Sequence, residues 1–91
     1  MWKMDVTKKV LEAIQRHRSD GCLPNAPISP RSLMYTYCST EEILGIVADL
    51  EEEFDIMFDA DEIEKIGDMT VKAFVKLTVE KVGKQKGDQD V

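Results

Sequence analysis

Between Ser39 and Phe54 the apolar residues Ile43, Ile46, Val47, Leu50 and Phe54 recur at steps of three, one, three and four. That spacing gathers them on one face of a 3.6-residue helix and on neither face of a strand, whose side chains alternate with a period of two. Ser39 stands three residues before Glu42, the spacing of a capping box. In that motif the serine side chain takes a backbone N–H of the first turn, and the glutamate reaches back to the serine's own N–H. A helix is therefore predicted to start at Ser39 or Thr40. Its apolar stripe needs partners, because one amphipathic helix has nothing to bury itself against.

Those partners lie on both sides. Val6, Val10, Leu11 and Ile14 repeat at helical spacing after Asp5, a good N-cap residue, and the pattern stops at Ser19-Asp20-Gly21. Asp59 or Asp61 can cap a short helix that carries Ile63 and Ile66 and ends at Gly67. Asp68 or Thr70 then opens a last helix with Val71, Phe74, Val75, Thr78 and Val82. Pro24, Pro27 and Pro30 forbid a continuous helix in the remaining stretch, so a long connection is expected, pinned by Leu33, Met34, Tyr35 and Tyr37. At 91 residues there is room for one core. The expectation is an all-α four-helix bundle, with a long loop between helices one and two and a short third helix. Residues 1–83 form the domain, and 84–91 read as a flexible polar tail.

Charge is concentrated in the middle of this plan. Twelve acidic residues and a single base, Lys65, lie between Glu41 and Asp68, while the flanking segments carry net charges of +3 and +2. Such a surface repels nucleic acid and anionic membrane, and a basic protein surface is its complement. The run Glu51-Glu52-Glu53 sits near a helix C-terminus, where it opposes the helix dipole without evident local compensation. A solvated acidic face explains the same composition without any partner. No apolar run is long enough to span a bilayer and the N-terminus lacks a signal-peptide pattern, so the expected setting is cytoplasmic.

Catalytic apparatus is not legible. His17 is the only histidine, and it sits beside Arg16 and Arg18 where a surface position is expected. Cys22 and Cys38 are too few for a disulfide framework or a zinc site and read as thiols. Asp55, Asp59 and Asp61 lack the glycine and spacing of a calcium loop. The chain is read as a non-enzyme and a monomer.

The stretches Leu50-Glu-Glu-Glu-Phe-Asp, Asp61-Glu-Ile-Glu-Lys-Ile and Met69-Thr-Val-Lys-Ala-Phe resemble the acyl carrier protein family over roughly Thr40 to Val82. The resemblance implies a four-helix bundle that carries acyl groups on a phosphopantetheine arm, with an acidic second helix that docks on basic patches of fatty-acid or polyketide enzymes and of a phosphopantetheinyl transferase. In that family the arm is bound to the serine of an Asp-Ser-Leu motif at the start of helix two. Counting back from Glu51 without gaps, the motif falls on Ser39-Thr40-Glu41. The serine's place is taken by Thr40, whose hydroxyl is secondary and crowded by a methyl group. Ser39 lies one residue early, about 100° around a helix. Ser39 and Thr40 are the two candidate attachment hydroxyls, and helix capping explains both equally well.

The resemblance further implies partner contacts at Glu42, Glu51, Glu52 and Glu64. It also implies an apolar interior that includes Ile43, Leu44, Ile46, Val47, Leu50, Phe54, Ile63, Ile66, Val71 and Phe74. Three readings follow: a carrier with a variant attachment sequence, a carrier-like docking module without a covalent arm, and a noncovalent fatty-acid binder using the bundle interior.

Overall fold

The computed structural model describes residues 2–19 and 27–90, with side chains described for 3–19 and 27–84. Over these residues it is an all-α domain of four helices: α1 (Trp2–His17), α2 (Thr40–Phe54), α3 (Ala60–Ile66) and α4 (Val71–Asp90). A short 3-10 turn, Met34–Thr36, interrupts the connection between α1 and α2. The first helix packs against both α2 and α4, and α3 leans on α2. Val6, Val10 and Ile14 of α1 meet Ile43, Ile46 and Leu50 of α2 and Val71, Phe74 and Val82 of α4 in one buried core. Thr78 is fully buried, and its hydroxyl donates to the Phe74 carbonyl at 3.0 Å, so the one buried polar residue among those described has its partner within the helix.

The helix starts follow their capping residues. Ser39 is the N-cap of α2, with both halves of the capping box formed. Asp59 is the N-cap of α3, and its backbone N–H donates to Glu62 Oε1 at 2.8 Å. At α4 the Ala73 N–H donates to Thr70 Oγ1 at 3.1 Å. The first helix begins earlier than its sequence signal: Asp5 lies inside the first turn instead of capping it, where its charge still suits the dipole. At the other end the backbone stays helical to Asp90. One glycine at 83 costs a helix about 1 kcal/mol relative to alanine, too little to end it ahead of the helix formers Lys84, Gln85 and Lys86.

The long connection is tied down mainly by its backbone. Two N–H groups at the start of α4, which have no partner inside the helix, donate back to it: Val71 to the Ser32 carbonyl at 2.8 Å and Lys72 to that of Pro30 at 2.9 Å. The Met34 N–H donates to the Met69 carbonyl at 2.8 Å, and Leu33 forms an isolated antiparallel bridge with Thr70. Of the four expected pins, Met34 and Tyr37 are buried, whereas Leu33 and Tyr35 are nearly half exposed. Cys38 is buried, and Cys22 lies outside the described residues. Leu44, expected in the interior, is 48% exposed, because it stands off the stripe of Ile43, Ile46, Val47 and Leu50. Ile56 and Phe58, in the connection between α2 and α3, are buried in its place, with the Phe58 ring 6.0 Å from that of Phe74.

Candidate functional site

The first turn of α2 carries both candidate hydroxyls, and the fold treats them differently. Ser39 has extended backbone just outside the helix. Its Oγ donates to Glu42 Oε1 at 2.6 Å and accepts the Glu42 N–H at 3.5 Å. The same Oε1 accepts the Ser39 N–H at 2.7 Å and the hydroxyl of Ser19 at 2.6 Å. Ser19 is itself held by its N–H donating to the Tyr37 carbonyl at 2.9 Å. Three donors on one carboxylate oxygen favour its ionised form, and the Ser19 and Ser39 hydroxyls are the main cause of a Glu42 pKa lowered to about 2. Ser39 is thus built into the junction between the end of α1 and the start of α2.

Thr40 begins the helix and is exposed. Its Oγ1 lies 3.5 Å from the hydroxyl of Tyr35. Tyr35 reaches this place because its ring lies over Gly67, where a Cβ would come within 2.0 Å of the ring's Cζ. The Tyr35 N–H also donates to the Gly67 carbonyl at 3.2 Å, fixing the ring's base against the end of α3. Thr40 therefore presents an exposed side chain at the N-terminus of a 15-residue helix whose first turn also carries Glu41 and Glu42.

The acidic residues divide in the same way. Asp49 Oδ2 lies 2.7 Å from His17 Nε2 and accepts from Arg16 Nη1 at 3.0 Å, and these contacts, the His17 bond first, hold its pKa below the ordinary carboxylate value. Glu51 Oε2 accepts the Phe58 N–H at 2.9 Å and so anchors the turn that buries Phe58. Glu53 pairs with Lys9 at 3.9 Å. Glu62 on α3 receives Lys81 at 2.7 Å, which lowers its pKa together with the Asp59 N–H, while the Lys81 ammonium stands 5.1 Å above the Phe58 ring. Two members of the glutamate run thus have compensation that the linear sequence did not show.

Of the four acidic residues expected at a partner interface, Glu42 and Glu51 are occupied by the fold. Glu52 and Glu64 are exposed, and their side chains make no hydrogen bond or ion pair among the described residues. Glu41 shares that condition and was not singled out from sequence. Glu41, Leu44, Ala48 and Glu52 are all exposed and follow the i, i+3, i+7, i+11 spacing of one helix face, which starts beside Thr40. The α2 surface is therefore an apolar strip, Leu44 and Ala48, with unpaired carboxylates at either end.

His17, expected at the surface, is part-buried. Its side chain is 27% exposed and fills a notch above Gly45, where a Cβ would come within 2.8 Å of His17 Cε1. The available signal was Gly45 itself, a glycine inside an otherwise strong helix pattern, which marks a close approach. The apolar interior is closed at Ile43, Ile46, Leu50, Ile66 and Phe74, each at most 2% exposed. No helix among the described residues is long and apolar enough to cross a membrane.

No protein-family model, no curated protein and no solved structure matches this chain.

Proposed function

We propose that this chain is an acyl-carrier-like protein. Its α2–α3 surface docks on a basic patch of a partner enzyme through Glu41, Glu52 and Glu64, and the hydroxyl of Thr40 is the point to which a phosphopantetheine arm is joined. The observation that carries the reading is the exposed Thr40 hydroxyl at the head of an α2 face whose carboxylates have no partner among the described residues. Charges left unpaired on a regular apolar strip suit electrostatic steering toward a basic surface, and they contribute little to folding. Between the two hydroxyls, that of Ser39 is engaged by Glu42, so a reaction there has to break the cap first. A carrier-like docking module without an arm is the second reading, favoured by the secondary hydroxyl at Thr40.

One experiment addresses both. The protein is incubated with coenzyme A and a broad-specificity phosphopantetheinyl transferase, and its intact mass is measured. The expected gain is one phosphopantetheine, lost in Thr40→Ala and retained in Ser39→Ala. Loss in Ser39→Ala alone moves the site to the cap. No gain with several transferases overturns the arm and leaves the docking module. With a transferase that does react, Glu41→Lys combined with Glu52→Lys is expected to raise its KM at low salt, with an unchanged thermal midpoint; indifference to both variants and salt overturns the docking surface.

A further inference from the structure

The α1–α4 side of the molecule has the opposite character. Two clefts adjoin there, with Thr7 and Leu11 lining both. The more enclosed one, of about 300 Å³, is walled by Leu11, Ile28, Pro30, Val71 and Val75 and has Lys72 at its edge. The more open one, of about 480 Å³, runs along α1 over Met4, which is 74% exposed, with Lys3, Lys8 and Glu12 beside it. Lys3, Lys8 and Lys72 have no ion-pair partner among the described residues. No residue of α2 or α3 lines either cleft.

An apolar trough edged by three unpaired ammonium groups against one carboxylate, Glu12, selects a ligand with an apolar body and a single negative head. The enclosed volume lies at the lower end of the range for small-molecule sites, about 300–1,000 Å³. An anionic bilayer is disfavoured by the net charge of −6, which repels a charged plane far more than it repels one small monoanion. A neutral lipid leaves the three lysines without a role.

We propose that the α1–α4 trough is a noncovalent binding site for a single-chain fatty carboxylate. The tail lies against Leu11, Val71 and Val75, and the carboxylate pairs with Lys72, with Lys3 and Lys8 attracting the anion from the open side. This goes beyond the carrier reading, because it uses neither Thr40 nor the acidic strip and lies outside the closed core.

The test is an NMR titration of the unmodified full chain, ¹⁵N-labelled, with decanoate below its micelle concentration. Decanol and phosphatidylglycerol vesicles are run as comparison probes. Saturable amide shifts are expected at Thr7, Leu11, Val71 and Val75, with decanol binding weaker than decanoate. Lys72→Glu, an exposed substitution, is expected to weaken decanoate binding about tenfold. Thr7→Phe, which places a ring where the clefts meet, is expected to abolish it in protein whose helical signal is intact; if that variant does not fold, Lys72→Glu alone decides. Equal affinity for decanol, shifts confined to α2 and α3, binding to vesicles only, or no binding each overturn the proposal. The arm takes no part in the measurement, so a failed mass-gain experiment leaves this result standing, and the converse also holds.

Discussion

Ser39 and Thr40 are neighbours with similar hydroxyls, yet one belongs to the fold and the other is left to solvent. Around Ser39 the polar groups close on themselves: its own N–H and Oγ and the Ser19 hydroxyl converge on one oxygen of Glu42. Around Thr40 they open outward, toward Tyr35 and the exposed face of Glu41, Leu44, Ala48 and Glu52. The contrast extends along the acidic segment. Glu42, Asp49, Glu51 and Glu62 each hold two parts of the chain together, whereas the side chains of Glu41, Glu52 and Glu64 hold nothing among the described residues. Total negative charge therefore says little about where a partner binds. What matters is the remainder after the fold has taken what it uses.

The largest expected effect tests whether the open side is itself a built structure. Gly67 has φ −59° and ψ −32°, which alanine adopts readily, so any loss in Gly67→Ala comes from the methyl group meeting the Tyr35 ring. Overpacking of this kind costs about 1–3 kcal/mol. Urea unfolding should show that loss, and Gly67→Ala combined with Tyr35→Ala should lose no more than Tyr35→Ala alone. If Gly67→Ala is neutral by itself, Tyr35 does not rest there and Thr40 has no fixed neighbour.

A smaller effect separates the two hydroxyls directly. Removing a serine N-cap costs about 1 kcal/mol, so Ser39→Ala should lower the thermal midpoint by several degrees. Thr40→Ala removes one exposed group with a single long contact and should stay within about 0.5 kcal/mol of the parent. Equal losses in the two variants erase the distinction on which the assignment of Thr40 rests.

Much of this plan was readable in the chain because its signals are local. The cap at Ser39, the stripe from Ile43 to Leu50 and the short helix ending near Gly67 depend on residues three or four apart. The partners of the carboxylates were not readable. Ser19 and Glu42 are 23 positions apart, and His17 and Asp49 are 32 apart, so each pairing exists only after α1 and α2 have docked. Phe58 was missed for a related reason. It lies in a connection without periodicity, where its ring packs beside Phe74 and its N–H is taken by the Glu51 carboxylate, seven residues earlier. Leu44 was placed in the interior by resemblance, although the spacing of its own helix already set it off the stripe. For the site, the sequence supplied both hydroxyls and the acidic helix but could not distinguish engaged residues from exposed ones.

The smallest effect is also the most specific, because it reads the charge of Glu42 apart from its shape. Its folded pKa of about 2 lies below the ordinary 4.5, so the stability it contributes is fully present above about pH 4.5 and is lost as pH falls toward 2. Asp49 and Glu62 are lowered as well, so the parent protein should lose stability through the acid range from several sources at once. Ser19→Ala isolates one of them, because it removes a donor to Glu42 and leaves the Asp49 and Glu62 contacts in place. The difference in thermal midpoint between Ser19→Ala and the parent should be clear at pH 7 and shrink toward zero near pH 2, where Glu42 is becoming protonated in both. The difference between Thr40→Ala and the parent should stay flat over the same range, since the Thr40 hydroxyl bonds to no carboxylate among the described residues. A Ser19→Ala difference that persists unchanged to pH 2 means that this hydroxyl is packed at the junction without sensing the charge. The closed side of the comparison would then be held by shape alone.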